Sequence, residues 1–469
     1  YTGWYTLSLH DALPILMRVV IVGAGISGLS IAFELLEAGL RRDDLLLLEA
    51  APRAGGNIAT TREDGLTIEH GPNGFLDNAP STLHLVERIG LHGALLKSNR
   101  SAARRFIYRS GRLRCIETRP LKFLKEGVLP LSSAFRVALE PMMKKGGNPT
   151  ESVHDFAVRR IGRGAADVLV DAMVSGVFAG NSRELELASA FPKMAAMESQ
   201  YGSLVKAMIA RKRMGAGGGG PAGPGGVLTS FVDGMQTLPD ALTALLKDRL
   251  ITGCPVQSVQ HRPGGWRVFA GNRPEIETEA VVLACPAYAA SQILSDLDPS
   301  MHSELGDIAY PPVTVVATAF DDLREKPDGF GFLVPRCQGL QILGSLWTSS
   351  IWQHRTPEGT TLLRTMVGGA HDPRSAELDD PAILQLVLRD LNAAMGITSD
   401  PTGVWIFRYD KAIAQYRPGH RARMQRLRQR LGRYPGLFLA GSAYDGISVN
   451  HCVEEAPRVA AQVMASLVL

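Results

Sequence analysis

Short apolar runs alternate with amphipathic stretches along the 469-residue chain. Residues 19–22 are β-branched or apolar throughout, as a strand buried on both faces of a parallel sheet requires. A helical pattern follows over residues 29–37 and stops near Gly39. A second apolar run, Leu45 to Leu48, ends in Glu49. Helical periodicity dominates residues 130–175, through Ala134-Phe135, Val137-Ala138-Leu139, Phe156 and Val168-Leu169-Val170, and resumes over 194–214. Residues 215–226 hold eight glycines and two prolines, which predicts a flexible linker or loop. A further helix is expected up to Leu246. Strands are expected at 255–260, 265–270 and 280–284, and alternation predicts more at 313–320 and 340–348. Residues 361–370 and 404–409 extend the same sheet. A late strand and glycine turn at 437–441 lead into a final helix ending near Leu467. No internal repeat is found.

Composition narrows the class. Charged residues make up 20% and hydrophobic ones 45%, a globular balance that excludes a disordered or collagen-like chain. The net charge of +4 is too weak to argue for nucleic acid, and none is expected as a partner. Five cysteines are scattered without a CxxC pair. They argue against a zinc site or a disulfide framework and for a reducing compartment; no metal is expected. No apolar run reaches the ~18–20 residues of a membrane-spanning helix. Residues 1–16 lack a basic n-region, and Met17 immediately precedes the first strand pattern. This stretch reads as a non-native extension rather than a signal peptide.

The first chemistry sits after residues 19–22. Gly23-Ala24-Gly25-Ile26-Ser27-Gly28 is a full GxGxxG between a strand and a helix. Gly23 suits the tight turn, Gly25 a close approach to pyrophosphate, and Gly28 helix–strand packing. The helix N-terminus then faces the phosphates. Glu49 lies where an acid binds ribose hydroxyls, with Ala50 beside it. Two features favour FAD over NAD. Arg53-Ala54-Gly55-Gly56 follows Glu49 closely, with glycines for a close chain passage and a cation for phosphate or flavin. The late strand–turn–helix at 437–467 supplies a second helix N-terminus for the reduced ring's negative charge. The fold class expected is α/β: a discontinuous Rossmann-like FAD-binding domain, a sheet-based domain and a helical insertion.

The chain resembles the flavin-dependent protoporphyrinogen oxidases of the amine-oxidase-like FAD superfamily. The likeness rests on GAGISGL at 23–29, GPNGF at 71–75, RRFIYRSGRLR at 104–114, SGVFAG at 175–180 and FPKM at 191–194. It continues through DGFGFLVP at 328–335, SLWTSS at 345–350, MVGGA at 366–370 and AGSAYDGISVNHC at 440–452. The last motif departs from the family's pattern: Ser442, Ser448 and His451 stand where Asn, Gly and Asp are usual.

The resemblance implies non-covalent FAD, a tetrapyrrole substrate, molecular oxygen as acceptor with release of hydrogen peroxide, and a role in haem or porphyrin synthesis. It implies an FAD-binding domain from 17–95, 228–300 and 434–469. A substrate-binding domain would comprise 96–114, 196–227 and 301–433, and a helical membrane-associated domain 115–195. Cytoplasmic placement with peripheral attachment to the inner membrane surface follows, and a homodimer is compatible with it. The implied cofactor contacts extend to Gly71, Pro72, Asn73, Gly74, Val256, Tyr409, Gly441, Ile447, Ser448 and Val449.

Six arginines crowd residues 100–114, and the family match places the propionate-binding cation at Arg105. Phe330, Leu333 and Trp347 are expected as apolar walls, and Gly176 as a backbone carbonyl facing the tetrapyrrole. No His, Asp or Glu stands out as a general base, so the flavin is expected to carry the chemistry. His70 reads as structural. Seven arginines at 417–433 read as a solvated helix face, with anionic lipid as the sharper alternative. Rival functions are oxidation of coproporphyrinogen III, which carries four carboxylates, a flavin amine oxidase or carotenoid desaturase, and a non-enzymatic flavoprotein.

Overall fold

The computed structural model describes residues 15–117, 120–213, 226–271 and 273–467. The glycine tract up to Gly225 and residues 1–14 lie outside the described residues. Strand β1 (Ile15–Val22) leads through the glycine turn into helix α1 (Ile26–Glu37) and strand β2 (Leu45–Leu48). Strands β3 (Phe106–Arg109) and β4 (Arg112–Cys115) form a hairpin. Helices then fill the described chain up to Arg213, among them α2 (Leu131–Ala138) and α3 (Asp171–Phe178). A strand at Leu228–Phe231 and a helix at Thr237–Leu246 precede β5 (Leu250–Ile251), β6 (Val256–Arg262), β7 (Gly265–Ala270) and β8 (Ile276–Leu283). The remainder includes α4 (Pro299–Gly306), β9 (Val313–Asp321), β10 (Gly331–Leu333), β11 (Ile342–Trp347), β12 (Thr360–Gly368), α5 (Asp380–Met395), β13 (Gly403–Tyr409), α6 (His420–Leu431), β14 (Leu437–Leu439) and α7 (Val449–Ser466).

One sheet has the order β5-β2-β1-β8-β7-β6, with β14 also pairing β8. Its β1, β2, β8 and β14 are mutually parallel. Alternation then divides their side chains. Val19 and Ile21 join a cluster with Leu29 of α1 and Val453 and Val459 of α7. Val20 and Val22 enter the opposite cluster with Trp266 and Leu294. Strand β1 begins two residues ahead of Met17, with Ile15 and Leu16 paired to Ile276 and Glu277. The expected division at Met17 therefore falls inside a strand. Backbone pairing extends it although Leu16 keeps its side chain in solvent.

The second sheet runs β13-β9-β12-β11-β10-β3-β4. All its pairs are antiparallel except β10 with β3. Phe106, Tyr108, Phe332 and Trp347 pack on one face against Ile383, Val387 and Leu391 of α5. Ile107 and Leu333 point the other way, toward Ala172 of α3. The helical insertion is joined internally by the buried Arg160–Glu140 pair, and Glu140 also accepts from the Ser203 hydroxyl and the Leu204 amide.

The arginines of α6 are largely paired. Arg423 and Arg426 both meet Glu304 of α4, Arg430 meets Asp298, and Arg428 meets Asp445. They join the helix to its neighbours, while Arg426 and Arg428 also remain exposed to solvent.

Candidate cofactor and substrate site

The glycines of the first turn are required by contact. A Cβ on Gly28 would lie 2.0 Å from the Gly23 oxygen, and Gly23 itself has φ +103°. The loop at 53–56 folds back onto this turn: the Gly55 amide donates to the Ala24 carbonyl at 2.8 Å. A Cβ on Gly56 would stand 3.2 Å from the Gly25 Cα. Helix α1 starts at Gly25 with no side-chain cap, so Ile26, Ser27 and Gly28 present uncapped amides. Glu49 follows β2 and accepts from the Ala24 and Ala51 amides at 2.6 and 2.8 Å, each oxygen keeping a second lone pair. Ala50 is exposed beside it. Val256 opens β6 just after Cys254, whose amide donates to the Glu49 carbonyl.

The distant segments converge here. Gly441 has φ +123°, and its Cβ position faces the Ser27 hydroxyl at 3.7 Å. Beyond it, Ser448 caps α7 by accepting from the His451 amide. Ile447 is half-buried and Val449 buried. A Cβ on Gly71 would meet the Asn57 oxygen at 1.9 Å, and one on Gly74 the Thr229 oxygen at 2.6 Å. The loop at 71–74 is thus held between Asn57 at one end and Thr229 at the other. The Asn73 amide nitrogen is buried without a partner. Arg53 is braced on the carbonyls of Ala54, Gly56 and Ile58, so its charge remains but most of its donors are engaged. Together, the side-chain-free cradle, the uncapped helix start, the acceptor Glu49 and the orphan donor of Asn73 fit a dinucleotide with a flavin end.

The second sheet closes the other side. Tyr409 ends β13, half-buried, and burial raises its pKa. His70 stacks on Phe407, with ring centroids 3.7 Å apart. Burial, with Arg53 and Arg364 nearby, pulls its pKa down to about 4, so it stays neutral near pH 7.

Toward the helical insertion, Arg105 meets Phe330, and Gly176 meets Leu333. The Arg105 guanidinium stands 5.2 Å from the Phe330 ring centroid. It has no carboxylate within 4.0 Å among the described residues, and desolvation lowers its pKa. Arg104, by contrast, is paired with Asp328. A Cβ on Gly176 would sit 2.7 Å from the Leu333 side chain. Gly176 lies in the last turn of α3, where carbonyls lack intrahelical partners.

Trp347 is the exception. It is 4% exposed, in the cluster under the opposite face with Phe106 and Phe332. The sheet separates it from Leu333, so the structure places it as core and not as a cleft wall. Sequence reading also passed over Arg364, a lone charge in the apolar strand β12. That isolation was the available signal.

A dinucleotide cradle assembled from both chain ends, with the second seven-stranded sheet packed against its loop at 70–71, defines a flavoprotein oxidoreductase. The model of the flavin containing amine oxidoreductase family matches residues 26–464. The chain belongs to this family, and its cofactor is a flavin. Coproporphyrinogen III oxidase of Bacillus subtilis is 30% identical over 96% of this chain and 98% of its own length. Chloroplastic protoporphyrinogen oxidase of Nicotiana tabacum is 30% identical over 96% and 85%. Among solved structures, an Exiguobacterium protein assigned to protoporphyrinogen oxidase superposes with a TM-score of 0.82 at 28% identity, covering 97% of this chain and 99% of its own.

Proposed function

We propose that the protein oxidises protoporphyrinogen IX to protoporphyrin IX in haem or porphyrin synthesis. FAD is held non-covalently and oxygen is the acceptor. The observation that carries this reading is Arg105: an exposed guanidinium with no carboxylate partner among the described residues, beside the Phe330 ring. A macrocycle with adjacent propionates on one edge matches that pattern, and a bidentate guanidinium fork suits a carboxylate. Leu333 and Gly176 bound the ring's apolar part. The cradle at 23–28, Glu49 and the loop at 71–74 hold the cofactor, which accepts hydride when bound. No side chain of the site is required as a base, since pyrrole nitrogens release protons to water. The substrate loses six electrons and six protons, taken up by three molecules of oxygen as three of hydrogen peroxide.

Peripheral membrane attachment belongs to the same proposal. Leu131 and Phe135 of α2, with Met142 beyond it, are 76, 67 and 76% exposed, beside Lys144. Among the described residues no helix is long and apolar enough to cross a membrane.

Coproporphyrinogen III is a second reading, supported by the near full-length likeness to the Bacillus enzyme. The deciding experiment offers each porphyrinogen separately to purified protein and follows porphyrin fluorescence and peroxide. Faster turnover of the tetracarboxylate selects the second reading. Bound flavin with no turnover of either overturns both.

A further inference from the structure

A cation without an acid partner lies beneath the loop at 70–74. Arg364 projects from β12 on the face shared by Leu362 and Met366, and it is 5% exposed. Its Nη2 donates to the His70 carbonyl at 2.9 Å and to the Gly71 carbonyl. Its Nε is buried with no partner. None of its nitrogens lies within 4.0 Å of a carboxylate among the described residues. The nearest acid, Glu69, is already claimed by the Arg355 guanidinium at 2.9 Å, the Thr60 hydroxyl at 2.7 Å and the Met235 amide at 2.8 Å. Arg53 acts on the same spot, since it and Arg364 both disfavour protonation of His70. The loop therefore carries two guanidiniums, and its one carboxylate is shared with a third.

Burying a charge without a counter-charge is costly. Such a charge is expected where negative charge develops at the moment of reaction. A substrate carboxylate is not that charge, because Arg364 is sealed under the loop while Arg105 is accessible. Uptake of a hydride, two electrons and one proton, turns a neutral flavin into an anion.

We propose that Arg364 is a positioning and charge-tuning residue: it holds the His70–Gly71 backbone and stabilises the reduced, anionic cofactor over the oxidised one. This rests on the reading that residues 71–74 face the flavin. The test is the two-electron midpoint potential of the bound flavin, measured with reference dyes. Arg364→Met should retain flavin but make reduction about tenfold less favourable, a drop of about 30 mV. Its kcat should fall with little change in KM, and Arg364→Lys should restore most of the potential. An unchanged potential in Arg364→Met overturns the proposal. If that variant fails to fold or to hold flavin, Glu69→Gln decides. Removing the nearest negative charge should raise the potential, and no change or a fall overturns the proposal. Parent protein that binds no flavin would instead overturn the cofactor reading itself.

Discussion

Arg105 and Arg104 show how neighbours in sequence acquire different roles. Both lie between the turn ending at Ala103 and strand β3, and they find different partners. Arg104 meets Asp328, whereas Arg105 leans over Phe330 without an acid. A charge-assisted contact is worth roughly 1.5–3 kcal/mol, about ten- to a hundredfold. Because it would hold a substrate edge remote from the reacting carbon, its loss should raise KM more than it lowers kcat. Arg105→Ala should therefore raise KM strongly with an unchanged flavin spectrum, and Arg104→Ala should do much less. Equal effects would move the propionate site elsewhere.

Glu49 is expected to bind ribose, and it also accepts two backbone amides. Glu49→Ala removes three or more hydrogen bonds and should weaken flavin retention by about ten- to a hundredfold. Glu49→Gln, which keeps one carbonyl acceptor, should lose less. Equilibrium dialysis of both variants tests this, and full retention in Glu49→Ala would discard the ribose assignment. The residue types at this cradle were legible in sequence. The role of Arg364 was not, because nothing in the order of residues shows that Glu69 is already shared with Arg355.

Among elements, the α4–α6 contact has a pH signature. Glu304 sits between Arg426 and Arg423, which hold its carboxyl below the usual range. The depressed pKa stabilises the fold fully above the unfolded value of about 4.3, and this stability is lost as pH falls through the lower folded value. Glu304→Gln should cost about 1 kcal/mol at pH 7, and the gap should close as pH drops below about 4. Urea midpoints of parent and variant at pH 7 and pH 3 give the comparison. A gap of the same size at both would assign the contact to packing. Sequence reading expected a helix face at 417–433 and most strand positions, but no helix at 299–306. It could not reveal which arginines of α6 find acids, since Asp298 and Glu304 lie more than a hundred residues away in the chain.

For the whole molecule, the exposed apolar side chains of α2 should decide membrane association. Inserting one large apolar side chain is worth roughly 1.5–3 kcal/mol. Leu131→Asp with Phe135→Asp should therefore shift the protein from floated anionic vesicles into the soluble fraction while leaving bound flavin intact. Unchanged flotation would place the contact on another surface.

The sequence by itself determined the strand–turn–helix cradle, the alternation of helical and sheet segments and the family resemblance. These rest on local pattern: glycine spacing, the period of apolar positions and motif order. Tertiary structure decided which face each strand residue occupies and which charges are neutralised. It placed Trp347 in the core with Phe106 and Phe332, left Arg105 unpaired, and set Arg364 under the loop at 70–71. Those outcomes depend on contacts across hundreds of residues, where sheet pairing and burial fix both the neighbour and the dielectric around it.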